Sequence, residues 1–131
     1  MDQPQPLRHV RGDELSPETA QTTGMRRASA ISASTTGATA LWMGETVVPP
    51  RTSSGPHHHG DSETAIYVVS GRPVFTARVG DRLERVETGP GDYVFVPPHL
   101  PHVEENPHDE DAVVVIARST QEAIVVNLDE L

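Results

Sequence analysis

A chain of 131 residues is one domain's worth of sequence, and a hydrophobic fraction of 35% is enough to bury a real core. A formal net charge of −9 excludes a nucleic-acid partner, whose phosphates it would repel. With no cysteine there are no disulfides and no thiolate metal sites, so any metal must be held by His, Asp or Glu. The N-terminus MDQPQPLRHVRGDEL lacks an apolar leader core, and no apolar run is long enough to span a bilayer. A cytoplasmic protein without a membrane partner is the expectation.

The counts of 12 Pro and 10 Gly punctuate the chain into short segments, which favours an all-β sandwich or barrel over a helical bundle. The first dozen residues are polar and Pro-rich, and DELSPE (13–18) has the caps for one helical turn. The Ser-, Thr- and Ala-rich stretch that follows has little apolar weight. It reads as a loop with one short strand, or as an arm laid across a partner subunit. Residues 1–38 are accordingly expected to form an N-terminal arm at a homodimer interface, and residues 39–131 the barrel.

From Thr39 the texture changes. ALWMGETVV reads as a strand closed by Pro49-Pro50, and TAIYVVS as a second ended by Gly71. VFTARV and RLERVE flank Gly80-Asp81, a short-hairpin signal. YVFVP, HVEEN, AVVVIAR and AIVVNL complete about eight strands, an antiparallel barrel or jelly roll.

The chemistry is concentrated in GPHHHGDSETAIYVVSG (55–71). In an extended strand, alternate residues share a face, so His57 and His59 can converge on one interior point while His58 faces away. The turn at Gly60-Asp61-Ser62 then lets the Glu63 carboxylate reach the same point. Two imidazoles and a carboxylate suit a divalent Zn, Fe, Mn, Ni or Cu ion. In GDYVFVPPHLPHVEEN, His102 follows a strand and a Pro-rich turn, where a neighbouring strand can deliver a further ligand. Arg26-Arg27 is either a solvated turn or a holder of an anionic substrate. Trp42, Tyr67, Phe75, Tyr93 and Phe95 read as core, and His9 and His108 as exposed.

These two segments resemble the paired motifs of small single-domain cupins. On the first, G(X)5HXH(X)3,4E(X)6G, His57, His59 and Glu63 fall in place and Gly71 comes one residue late, while Arg51 stands where the opening Gly belongs. On the second, G(X)5PXG(X)2H(X)3N, Gly91, Pro97, His102 and Asn106 are in register and His99 replaces the internal Gly. The resemblance covers about residues 55–106.

It implies a cupin-type antiparallel β-barrel with one divalent metal per chain, held by His57, His59, Glu63 and His102, with zinc the first choice. It also implies a small-molecule substrate, and it makes His99, at the barrel mouth, the candidate proton carrier. The closest likeness is to actinobacterial polyketide-cyclase-like cupins, and so to metal-assisted carbonyl chemistry of a cyclase or isomerase. Non-heme metal dioxygenases of the quercetinase kind, zinc cupins that join two nitrogens in hydrazine biosynthesis, and non-catalytic ligand-binding modules are the alternatives on the same barrel.

Overall fold

The computed structural model describes residues 4–121 and 124–131. Among the described residues eleven strands and one short helix follow one another. In order they are β1 (Arg26–Ile31), α1 (Ala33–Thr36), β2 (Trp42–Val48), β3 (Thr52–Ser53), β4 (His57–His58), β5 (Thr64–Ser70), β6 (Val74–Val79), β7 (Arg82–Glu87), β8 (Tyr93–Val96), β9 (His102–Asn106), β10 (Ala112–Arg118) and β11 (Val126–Asn127). They form two antiparallel sheets, one ordered β1-β2-β10-β5-β8 and the other β11-β4-β9-β6-β7, with β3 paired to β9. This is the expected all-β jelly roll.

Period-two patterning explains the packing. On β10 the residues Ala112, Val114, Ile116 and Arg118 are buried and the intervening ones are not. Val48 on β2 packs with Met25 and Ala112 in one interior cluster, while Trp42 on β2, and Ile66 and Val68 on β5, meet Phe75 and Val96 in a second. Each fully buried valine there, Val68 or Val114, contributes on the order of 2 kcal/mol of burial. The last inward position of β10 is an arginine, which anticipates the site.

The motif glycines have identifiable work. A side chain at Gly71 (φ +80) would come within 2.6 Å of the Ala112 backbone. Arg51 and His99 are the two non-glycine residues with positive φ among the described residues, at 57° and 60°. Both stand at motif glycine positions, so each substitution keeps the left-handed backbone of the glycine it replaces. Arg51 is held there by its guanidinium donating to Asp109 Oδ1, and His99 by its N–H donating to Gly60 O at 2.8 Å.

Several expectations differ in outcome. DELSPE forms no helical turn, because Ser16 is drawn into two backbone hydrogen bonds with Ser29 of β1. The only helix among the described residues is α1, closed by a capping box between Ser32 and Thr35 and by Gly37. Within residues 1–38, β1 pairs with β2 of its own chain, and Met25, Arg27 and Ser29 are buried. Trp42 and Phe75 are core as expected, whereas Tyr93 and Phe95 are exposed on edge strand β8 and Tyr67 stacks at 4.8 Å on Tyr93 outside. The expected last strand, AIVVNL, begins outside the described residues and is reduced to β11. No helix of the described residues is long and apolar enough to cross a membrane.

Candidate metal centre

Strands β4 and β9 touch at one residue pair, His57 opposite His102. His59 lies just past the end of β4 and closes the group: the ring centroids are 4.5 Å apart for His57–His102, 4.9 Å for His57–His59 and 5.1 Å for His59–His102. One ligand nitrogen from each ring can be chosen so that all three lie within 4.8 Å of one another.

Each ring is oriented the same way. Nδ1 of His57 lies 2.9 Å from Gly55 O, Nδ1 of His59 2.9 Å from Ile124 O, and Nδ1 of His102 2.9 Å from Leu100 O. A carbonyl can only accept, so each Nδ1 carries the proton and each Nε2 keeps its lone pair. Burial favours the neutral rings further, lowering the pKa of His57 and bringing those of His59 and His102 down to about 4. Three neutral imidazoles with their outer nitrogens tied to backbone and their inner nitrogens convergent are a fitting donor set for a divalent ion.

Glu63 is not brought to this point. The core residues Ile66 and Val68 set the inward face of β5, so the even-numbered Thr64 points in and Glu63 is exposed. The Glu63 backbone is tied to Ser119, with its N–H donating to Ser119 Oγ at 3.0 Å. Counted with four residues between His59 and the next ligand position, the first motif places Thr64 where a carboxylate is usual, and Gly71 then closes it without the one-residue lag. His99 also lies outside the cavity. Its ring is exposed, with Nε2 2.7 Å from Asp61 Oδ1 and its centroid 5.7 Å from that of His58. His58 faces that outer side, where its Nδ1 accepts from the Gly60 N–H.

The histidine cavity contains residues that the motifs do not mention. Glu104 lies two positions beyond His102 on the same buried face of β9, and its Oε1 has no hydrogen-bond partner. Burial raises its carboxyl pKa to about 7, against the opposing pull of the Arg27 charge. Arg27 is the inward member of the Arg26-Arg27 pair and is held by all three nitrogens: Nε donates to Thr46 Oγ1, Nη2 to Thr22 Oγ1 and Nη1 to Ala20 O. Arg118 completes the cavity wall with Thr64. Alternation along HVEEN carries the signal for Glu104, since His102 fixes which face is inward, whereas AVVVIAR is apolar on both faces and gives no such anchor for Arg118. None existed for Arg27 either.

The family described as "Cupin domain" matches residues 44–118. No curated protein is significantly similar in sequence. Among solved structures, an oxalate oxidase is 16% identical over 85% of this chain with a TM-score of 0.71. Bacillus subtilis oxalate decarboxylase is 22% identical over 85% with a TM-score of 0.73. Peruvianin-I, a cysteine peptidase from Thevetia peruviana latex, is 16% identical over 94% with a TM-score of 0.76. This chain spans 60% of the oxidase chain, 30% of the decarboxylase chain and 78% of the Peruvianin-I chain, and at such identities the likeness is one of fold. The family match takes in both histidine segments and more than half of the sequence, and the protein therefore belongs to the cupin family.

Proposed function

We propose that this cupin is a metal-dependent enzyme of carbonyl chemistry on a small molecule, with His57, His59 and His102 holding one divalent ion. The observation that carries the reading is the orientation of the three buried rings, each with Nδ1 spent on a backbone carbonyl and Nε2 left for a shared ligand. Three imidazoles with an open fourth position are the arrangement of catalytic zinc, so zinc is the first choice over Fe, Ni, Mn or Cu. Such an ion, when bound, supplies a Lewis acid for a substrate oxygen and a bound water of lowered pKa.

The protein's own contribution follows from the cavity wall. Glu104 Oε1 is buried, unpartnered and placed to hold or move a proton, the role that carbonyl chemistry requires and that His99 is too far outside to fill. Ile66, Val96 and Ile116 exclude bulk water. Water can be centred in only about 20 Å³ of this cavity, which favours a compact substrate of isomerase type over the larger one that polyketide ring closure would need.

Elemental analysis of untagged protein, followed by anaerobic turnover of small keto compounds with zinc and then with iron or manganese, tests the reading. The expected result is turnover without oxygen, with Glu104→Gln lowering kcat about 100-fold at unchanged metal content and Glu63→Gln changing neither. Turnover only with a redox metal and admitted oxygen would replace it with a dioxygenase. Tight ligand retention without turnover would replace it with a binding module.

A further inference from the structure

The cavity holds a positive charge that nothing in the described chain neutralises. Its ionisable wall consists of Arg27, Glu104 and Arg118 beside the three neutral imidazoles. Glu104 feels the Arg27 charge, and each of the three Arg27 guanidinium nitrogens also has a hydrogen-bond acceptor. Arg118 is 5% exposed, and its Nε and Nη2 have no partner. Burying an unpaired charge is among the most unfavourable things a fold can do, and paired partners or ligands normally compensate it.

The unpartnered atoms are specific. Nε–H and Nη2–H run parallel along one edge of the guanidinium, the edge that takes both oxygens of a carboxylate at once. The plane is held in place, with the guanidinium carbon 3.9 Å from the centroid of the Trp42 ring. Trp42 and Thr64 are the two residues directly opposite Arg118 on its neighbouring strands. The Thr64 hydroxyl, on the same inward row, is also buried without a partner. Three unspent donor positions thus sit side by side in the wall of the histidine cavity.

We propose that Arg118, assisted by Thr64, is the anchor of a substrate carboxylate, so that the substrate is a small carboxylic acid. The proposal rests on reading this cavity as the active centre, and it names the substrate class. A flat two-oxygen anion matches the stacked guanidinium edge, whose two parallel N–H groups pair with both oxygens of a carboxylate at once. It also accounts for Thr64 at the position where a cupin carboxylate is usual. A Glu there would cancel the Arg118 charge, whereas Thr leaves that charge for a ligand.

Trp42 is the sole tryptophan and lies against Arg118, so its fluorescence reports on the anchor without need of turnover. The full-length protein, metal-loaded and metal-free, would be titrated with acetate and pyruvate, with neutral acetamide and with inorganic phosphate, and calorimetry run in parallel. The expected result is saturable binding of the two carboxylates but not of acetamide. Arg118→Met should weaken it at least about tenfold, and Thr64→Val less. Arg118→Lys, which keeps the charge and loses the fork, should fall between wild type and Arg118→Met. Because Arg118→Met removes an uncompensated charge, its melting temperature should hold or rise, where loss of a purely structural arginine would lower it. No saturable carboxylate binding, equal binding by Arg118→Met, or a preference for phosphate would overturn the proposal. If Arg118→Met does not fold, equal binding by Arg118→Lys overturns it. Carboxylate binding with no metal uptake would sink the metal reading and leave this one standing, and metal uptake with no carboxylate response would do the reverse.

Discussion

Five histidines crowd one end of this barrel, and they divide into an inner trio and an outer pair. His57, His59 and His102 are tied through Nδ1 to backbone carbonyls and turn their remaining nitrogens on one another. His58 and His99, on the other side of the same backbone, form a loose ring pair next to Asp61. A shift of one residue separates the two environments. The same side-chain chemistry becomes a ligand set or a surface cluster according to strand alternation and to which nitrogen the backbone has already claimed.

Replacement by alanine should break this contrast most visibly. Loss of any inner histidine is expected to reduce metal affinity by more than about 100-fold, since it removes a ligand and not merely a residue that orients one. His58→Ala and His99→Ala should retain the metal. Elemental analysis after dialysis against a weak chelator measures it. A site emptied by His58→Ala and left full by His57→Ala would show the register of β4 to be off by one.

Acid should separate the two groups of ionisable residues inside the cavity itself. In metal-free protein the unfolded chain takes up protons on the trio near the ordinary value of 6.5, while the fold resists until about 4 at His59 and His102. Their contribution to stability is therefore fully present above pH 6.5 and lost as pH falls toward 4. Glu104 acts in the opposite sense. Its carboxyl, raised from 4.5 to about 7, keeps a proton that the unfolded chain releases, so its contribution is present below 4.5 and lost as pH rises through 7. With three lowered histidines against one raised carboxyl, urea midpoints should fall between pH 6.5 and 4.5, and Glu104→Gln should steepen that fall. A slope unchanged by Glu104→Gln would remove Glu104 from the set of buried titrating groups.

The smallest effect is expected at the outer turn. His99 holds a left-handed backbone at φ 60°, which costs a non-glycine residue roughly 1–2 kcal/mol, and its contact with Asp61 is largely solvated. His99→Gly should raise stability by up to about 1 kcal/mol in thermal melts and leave metal content alone. A marked fall would mean that the His99–Asp61 contact, and not the backbone, organises the turn.

Much of this was legible in the chain. Strands β5, β6, β7, β9 and β10 occupy the residues their patterns indicated, because alternating apolar residues between Gly and Pro breaks leave little choice of boundary. The shared inward face of His57 and His59 could be read from spacing alone, whereas His102 was joined to them by the resemblance of the paired motifs. The face of β5 was harder, since TAIYVVS is apolar on both sides and only tertiary packing of Ile66 and Val68 turns Glu63 out and Thr64 in. Tyr93 and Phe95 misled for a related reason: an edge strand leaves aromatic residues exposed that a central strand would bury.

The sequence by itself determined the class of fold and the strands that carry the histidines, whereas the Glu63 it added to the ligand set is turned outward just before β5. The fold class and those strands depend on local alternation and on residues close together in the chain. Tertiary structure decided the rest of the cavity. Arg27, Thr64, Glu104 and Arg118 come from four different strands, and only the pairing of β10 with both β2 and β5 places Arg118 between Trp42 and Thr64. Whether a buried charge is satisfied is a property of everything around it, and no local pattern can encode that.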